Sequence, residues 1–469
     1  MSDVTTALKD SAAIGELESR HKISWLDGFA FAAPVATNLF ISLGYMVGVM
    51  GSLTAIALCV VLAGVAYLQN KIFSEMASMF PDRSGGVPIF ISEGFDRYAA
   101  WIGPTASIAY WMGWAFVPAL VGVSIGTILT SQFLPSAGFA LFAGTAYEMS
   151  TVTLIGIGVV VAGAVLTLSG ISVAAAVSKG VGLVFVPILL LLALAPVFAS
   201  GFDWSNLTNK LDWSSQSLST VCVWAYLATW GLYATEICAA FTPEYRNGPK
   251  DARRAMTSST AFLISAFVFV PLSAVGLAGE TALAENPATY YSLIVELAYG
   301  DFAWFVTLVV SAALFVITVS ALADSSRTLY GMSEQRRIIG LFKALNGKGE
   351  PINAIVGTTF LNLLLVVFLK NPVSLLIASN VGYLAALTLA VVAFLLLRRD
   401  RPHQGRPIRL RDRWTSVALG IVIFNVLLLA FGASNPQLTY SGSYGDVLFG
   451  LAVPMAGYLL YVFRPRVAQ

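Results

Sequence analysis

Long apolar runs alternate with short polar interruptions along the chain, and the runs have the length of membrane spans. About 20 helical residues cross the hydrocarbon core of a bilayer. Twelve runs of that order can be marked, at about 25–49, 53–79, 99–129, 152–168, 173–198, 217–241, 256–277, 302–329, 352–369, 373–397, 416–431 and 447–463. The pattern predicts an all-α membrane protein with 12 transmembrane helices. Two runs are interrupted. In the first, Ala33, Pro34, Val35, Ala36, Thr37 and Asn38 place a proline and two hydrogen-bonding side chains inside apolar sequence. Pro34 has no amide hydrogen and clashes with the preceding turn, so backbone carbonyls are freed near mid-membrane. In the sixth, a break is expected at Thr229, Trp230 and Gly231, just before the lone acid Glu236. Interruptions five spans apart are what a 5+5 inverted repeat produces, with a site where the two breaks meet.

Composition agrees and adds little else. Of 469 residues, 57% are apolar and 11% charged, more hydrophobic surface than a soluble core can bury. The net charge of +2 matters less than its distribution. Lys210 and Lys370 fall on one face of the expected topology. The basic clusters within 246–254, 336–348 and 398–413, with Arg464 and Arg466, fall on the face of both termini. Both ends are therefore expected in the cytoplasm, with the protein in the cytoplasmic membrane. The polar stretch through Lys22 leaves the first membrane helix as the expected insertion signal. Cys59, Cys222 and Cys238 have no metal-ligand spacing, and His21 and His403 sit in polar, loop-like segments. No clustered nucleophile or acid–base set points to an enzyme, and no metal or cofactor is expected. Nor is a nucleic-acid partner.

The candidate chemistry lies in the membrane. A carboxylate at the depth of Glu236 costs several kcal/mol unless it faces a cavity or a partner. Tyr110, Trp111, Trp114, Trp230 and Tyr233 could enclose an ammonium group, because aromatic faces attract cations by up to about 2 kcal/mol where water is excluded. Packing of the bundle is the plainer use of those rings. Asp324 and Arg327, near the inner end of span eight, read either as an inner gate or as a helix-end ion pair. Lys71 and Glu75, four apart, are expected to pair, and Glu280 reads as a solvated outer-loop acid.

One stretch is more specific. Ser74-Glu75-Met76-Ala77-Ser78-Met79-Phe80-Pro81 followed by Ser84-Gly85-Gly86, then Gly94-Phe95, resembles the helix end and glycine re-entry of the amino acid, polyamine and organocation permeases. Glu236 with Glu244, Asn247, Pro249, Lys250 and Asp251 is similar to that family's sixth-helix acid and the loop after it. Ser325-Ser326-Arg327-Thr328-Leu329-Tyr330 and Arg406-Pro407-Ile408-Arg409 resemble two further family segments. The resemblance implies a leucine-transporter-type 5+5 inverted repeat plus two C-terminal helices. The expected division is a tail at 1–24, the first repeat at 25–200, the second at 201–398, and a basic loop with two helices at 399–469. It also implies a secondary active permease for an amino acid, polyamine or related amine, working by alternating access, coupled to protons or acting by exchange. An inorganic-cation carrier and a non-transporting sensor on the same fold remain alternatives. The substrate-binding residues so implied are Val35, Ala36, Thr37, Asn38, Tyr110, Trp114, Thr229, Trp230, Tyr233 and Glu236, with Trp230 like the family's aromatic lid. Asp324, Arg327 and Lys179 are candidates for gating or coupling. Two departures stand out. Pro34, Thr37, Asn38 and Leu39 occupy a region that is glycine-rich in many relatives, and Phe185 stands where some proton-coupled relatives carry a lysine. Whether the coupling ion is a proton or sodium stays open, as does the oligomeric state.

Overall fold

The computed structural model describes residues 23–134, 139–145, 148–212, 214–287, 289–368, 372–439 and 442–464. Most of the expected N-terminal tail, His21, Lys370 and Arg466 lie outside those residues. The chain is helical almost throughout. In order, it forms α1 (Trp25–Ala32), a 3₁₀ segment (Ala33–Asn38), α2 (Leu39–Met50), α3 (Ser52–Met79), α4 (Val87–Phe95), α5 (Ile102–Ala115), α6 (Val117–Phe133), α7 (Thr151–Leu168) and α8 (Ile171–Phe198). Next come α9 (Ser215–Tyr233), a second 3₁₀ segment (Ala234–Glu244), α10 (Pro249–Glu285), α11 (Tyr290–Tyr299), α12 (Ala303–Glu334), α13 (Ile352–Phe368), α14 (Pro372–Asp400), α15 (Trp414–Gly432) and α16 (Tyr444–Val462). A two-residue hairpin, Ala140–Leu141 with Met149–Ser150, precedes α7.

Among the described residues, ten helices are long and apolar enough to cross a membrane, counting α1–α2 and α5–α6 as continuous. This is an integral membrane protein. The α1–α2 and α5–α6 spans are each 83% buried and α12 78%, whereas α8 and α15 are 28% buried and α16 only 11%. The first three form the core. The others turn rows such as Leu183, Leu190, Val197, Leu448 and Met455 outward, where apolar residues suit lipid.

Ile23 and the helix ends near Glu75, Glu93, Glu244, Arg327 and Arg398 share one face, called here the terminal face. Its basic loops are anchored on buried acids. Glu75 is fully buried and holds Arg398 (2.7 Å), Arg406 (3.1 Å) and the Leu410 amide (2.8 Å). The expected Lys71–Glu75 pair is not made; Lys71 lies over the Tyr67 ring instead. Glu93 on α4 gathers Arg83, Arg337 and Arg401. Partial burial pushes its carboxyl up, but those guanidinium groups outweigh that and hold it below the ordinary range. On the opposite face, Glu280 is not a solvated loop acid. It is buried beyond the kink at Gly279, accepting from the Ser52 amide (2.6 Å) at the start of α3 and from the Thr208 amide (3.1 Å) in the segment before α9.

Candidate functional site

Both interruptions exist, and each is a tightened helix rather than an unwound one. At the first, Pro34 cannot donate, and the Thr37 hydroxyl bonds the Pro34 carbonyl at 2.7 Å. Ala33 and Asn38 keep right-handed helical angles, and the Leu39 amide still bonds the Ala36 and Thr37 carbonyls. At the second, the α-helix runs through Thr229, Trp230 and Gly231, and the 3₁₀ segment begins only at Ala234. The expected break point was thus one turn too early. Gly231 has another task. A Cβ there would stand 2.0 Å from Nδ2 of Asn38, so its bare backbone lets the two interrupted spans touch.

Glu236 lies in the first turn of the second 3₁₀ segment and is completely buried. Its Oε1 accepts from the Tyr110 hydroxyl (3.0 Å) and from the Trp114 indole nitrogen (3.1 Å), while Oε2 has no partner. The same Tyr110 hydroxyl lies 3.4 Å from Oδ1 of Asp324 on α12, whose Oδ2 is also unpartnered. A tyrosine hydroxyl carries one proton, so it donates to only one of the two acids at a time. The Tyr383 ring of α14 packs 5.9 Å from Tyr110 and 6.4 Å from Trp114, with its hydroxyl near Glu236 but not in hydrogen-bonding geometry. Gly113 makes room for it, since a Cβ at that position would sit 2.6 Å from the Tyr383 ring.

Space approaches this cluster from both faces. Opposite the terminal face, a vestibule of about 500 Å³ runs between α2, α6, α7 and α9 down to Asn38. Next to it, and sharing Asn38 and Ile41 with it, lies a further void of about 10 Å³, room for roughly one water, surrounded by Trp114 and Trp230 with Val35, Ala234 and Ile317. The Trp230 indole bonds the Gly113 carbonyl at 3.0 Å, fixing that ring across α5. Towards the terminal face the way is shut by stacked Phe31 and Phe241, 5.3 Å apart, and by Arg327 held to Glu244 (2.6 Å) and Glu350 (3.1 Å). Below that seal a cavity of about 430 Å³ opens beside Asp82, Glu244, Arg327, Glu334, Lys348 and Glu350.

A sequence profile described as amino acid permease matches residues 23–453, nearly the whole chain. The chain belongs to the amino acid permease family. It is a membrane permease rather than an enzyme. Relatives include a polyamine transporter of Oryza sativa subsp. japonica, 24% identical over 90% of this chain and 75% of its own length. A gamma-aminobutyric acid permease of Bacillus subtilis (strain 168) is 23% identical, covering 84% of this chain and 82% of its own. A putative histidine permease of the same organism is 22% identical over 90% and 82%.

Against this permease frame the expected residues sort clearly. Val35, Asn38, Trp114, Trp230, Tyr110 and Glu236 converge. Ala36, Thr37 and Thr229 are buried beside them, but both threonine hydroxyls bond backbone carbonyls of their own helices. Tyr233 points its hydroxyl away, to Asn425 of α15 at 3.0 Å. Lys179 stands on the terminal face, paired with Asp27 at 2.8 Å. Asp324 and Arg327 are not paired with each other: Asp324 faces Tyr110 while Arg327 is tied to Glu244 and Glu350. Tyr383 and Glu350 escaped the sequence reading. Tyr383, the sole tyrosine of an apolar run and adjacent to Gly382, was the one signal available.

Proposed function

We propose that this permease carries an amino acid or related organic amine across the cytoplasmic membrane by alternating access, and that its ammonium group docks at Glu236. The observation that carries the reading is the unpartnered Oε2 of a fully buried glutamate, set where the two interrupted spans meet. A buried carboxylate oxygen without a donor is costly, and an ammonium supplies up to three donors. The polyamine transporter, the gamma-aminobutyric acid permease and the putative histidine permease are all named for amine-bearing compounds, which accords with that choice. Tyr110, Trp114 and Trp230 would wall the ammonium, and Val35, Ala36, Thr37, Asn38 and Thr229 would line the space above it. An inorganic-cation carrier would need more oxygen ligands than these aromatic walls offer.

In this reading the two shorter or less apolar segments, α13 and α9 with its 3₁₀ extension, also cross the membrane and bring the spans to twelve. The halves at 25–200 and 201–398 form the 5+5 inverted repeat, 399–469 adds two helices, and both termini face the cytoplasm. The pair formed by the first two spans and the sixth and seventh rocks against the rest. The vestibule then corresponds to the external approach, with the Arg327 seal closed behind it and Lys179–Asp27 bracing the inner end of the first span. Protons or exchange provide the drive. Uptake of labelled amines and amino acids into proteoliposomes tests the site. Glu236→Gln is expected to abolish or alter uptake while the melting profile is kept, and normal transport by that variant would make Glu236 structural only.

A further inference from the structure

The substrate can be narrowed by asking which charges the sealed chamber is able to neutralise. Two carboxylates, Glu236 and Asp324, meet on one hydroxyl oxygen and leave one oxygen each without a partner, both fully buried. They form a single negative pole. Tyr110 and Tyr383 also face it, and neither supplies positive charge. The nearest base, Arg327, lies one turn along α12 and spends its guanidinium on Glu244, Glu350 and the Ala323 carbonyl. Lys179 is at the terminal face with Asp27.

A substrate carboxylate therefore finds no cation, and the backbone does not replace one. The first interruption stays hydrogen-bonded as a 3₁₀ turn, with Pro34 lacking an amide and the Thr37 hydroxyl occupied. Unwound amides that could cradle an anion are missing there. The vestibule leading in is mostly apolar, walled by residues such as Phe40, Met46, Leu120 and Trp224 with neutral hydroxyls such as Ser124 and Thr127 between them, and among the described residues no charged side chain lines it. A second ammonium at the far end of a long polyamine would find no carboxylate there among the described residues.

We propose, resting on the docking of an ammonium group at Glu236, that this permease prefers monoamines with an apolar body and no carboxylate. Matched pairs test this on the purified full chain. Dissociation constants are measured for phenethylamine against phenylalanine, for isoamylamine against leucine, and for spermidine. Each amine is expected to bind at least about tenfold more tightly than its parent amino acid and than spermidine. Asp324→Asn, which weakens the negative pole, is expected to narrow the gap between amine and amino acid. Tighter binding of phenylalanine or leucine, or of spermidine, overturns this preference and leaves the permease reading standing. Absence of binding by all five compounds overturns the docking of an ammonium at Glu236 together with this preference, and an unchanged gap in a folded Asp324→Asn variant overturns the assignment of the pole.

Discussion

Arg327→Gln should open the terminal-face seal. The Arg327 side chain is 5% exposed, and its partners Glu244 and Glu350 are 17% and 3% exposed. Removing one member of a buried ion pair costs about 3–5 kcal/mol, because the other charge is left uncompensated. Glu350 keeps one donor, the Ile171 amide at 2.8 Å, and Glu244 reaches solvent, so the lower end applies, about 3 kcal/mol. If that energy is lost only from the closed arrangement, the closed-to-open ratio falls by roughly 100-fold. Cys238 reports it. Fully buried on the second 3₁₀ segment, with its thiol 3.4 Å from the Gly28 carbonyl, it becomes reachable only when the seal parts. In a background with Cys59→Ala and Cys222→Ala, labelling by a membrane-impermeant maleimide should accelerate by roughly 100-fold in Arg327→Gln. Arg327→Lys should fall between, since an ammonium cannot reproduce the planar fork that reaches both carboxylates. A labelling rate unchanged within about threefold in a folded Arg327→Gln protein would refute the seal, as that is far below the change the lost pair demands.

Two further outcomes follow from single contacts. Glu93 has a carboxyl held below its ordinary value of 4.5 by Arg83, Arg337 and Arg401, so its stabilising contribution is present above that pH and lost as pH falls through the lowered value. Melting temperature should drop on acidification below about pH 4.5 in the parent, and Glu93→Gln should flatten that limb while lowering stability at neutral pH; parallel curves would contradict the cluster. Gly231→Ala inserts a methyl 2.0 Å from Asn38, an overpacking cost of about 1–3 kcal/mol against at most about 1 kcal/mol gained in helix propensity. Lower thermal stability is expected, and an unchanged or raised melting point would show that the two interrupted spans do not need that contact.

Much of the architecture was legible because membrane helices announce themselves by length and apolarity. The interruption at Pro34 was legible for a local reason, a missing donor. The second was misplaced because nothing at Ala234 resembles a breaker; the glycine that drew attention, Gly231, serves contact with Asn38 across the bundle, which no local pattern reveals. Glu236 stood out as a lone acid in apolar sequence. Its tie to Asp324 did not, since the two are 88 positions apart in the chain and meet only through Tyr110. Charged residues at helix ends were paired by nearest sequence spacing, as with Lys71 and Glu75 or Asp324 and Arg327. The fold instead pairs them across loops, giving Glu75 to Arg398 and Arg406, and Arg327 to Glu244 and Glu350.

An experimental structure with a bound amine tests the central claim most directly. The account predicts the ammonium nitrogen about 3 Å from the Glu236 carboxylate, with Trp114 or Trp230 displaced to admit it. An amine confined to the vestibule, with the Tyr110 and Trp114 bonds to Glu236 intact, would contradict it.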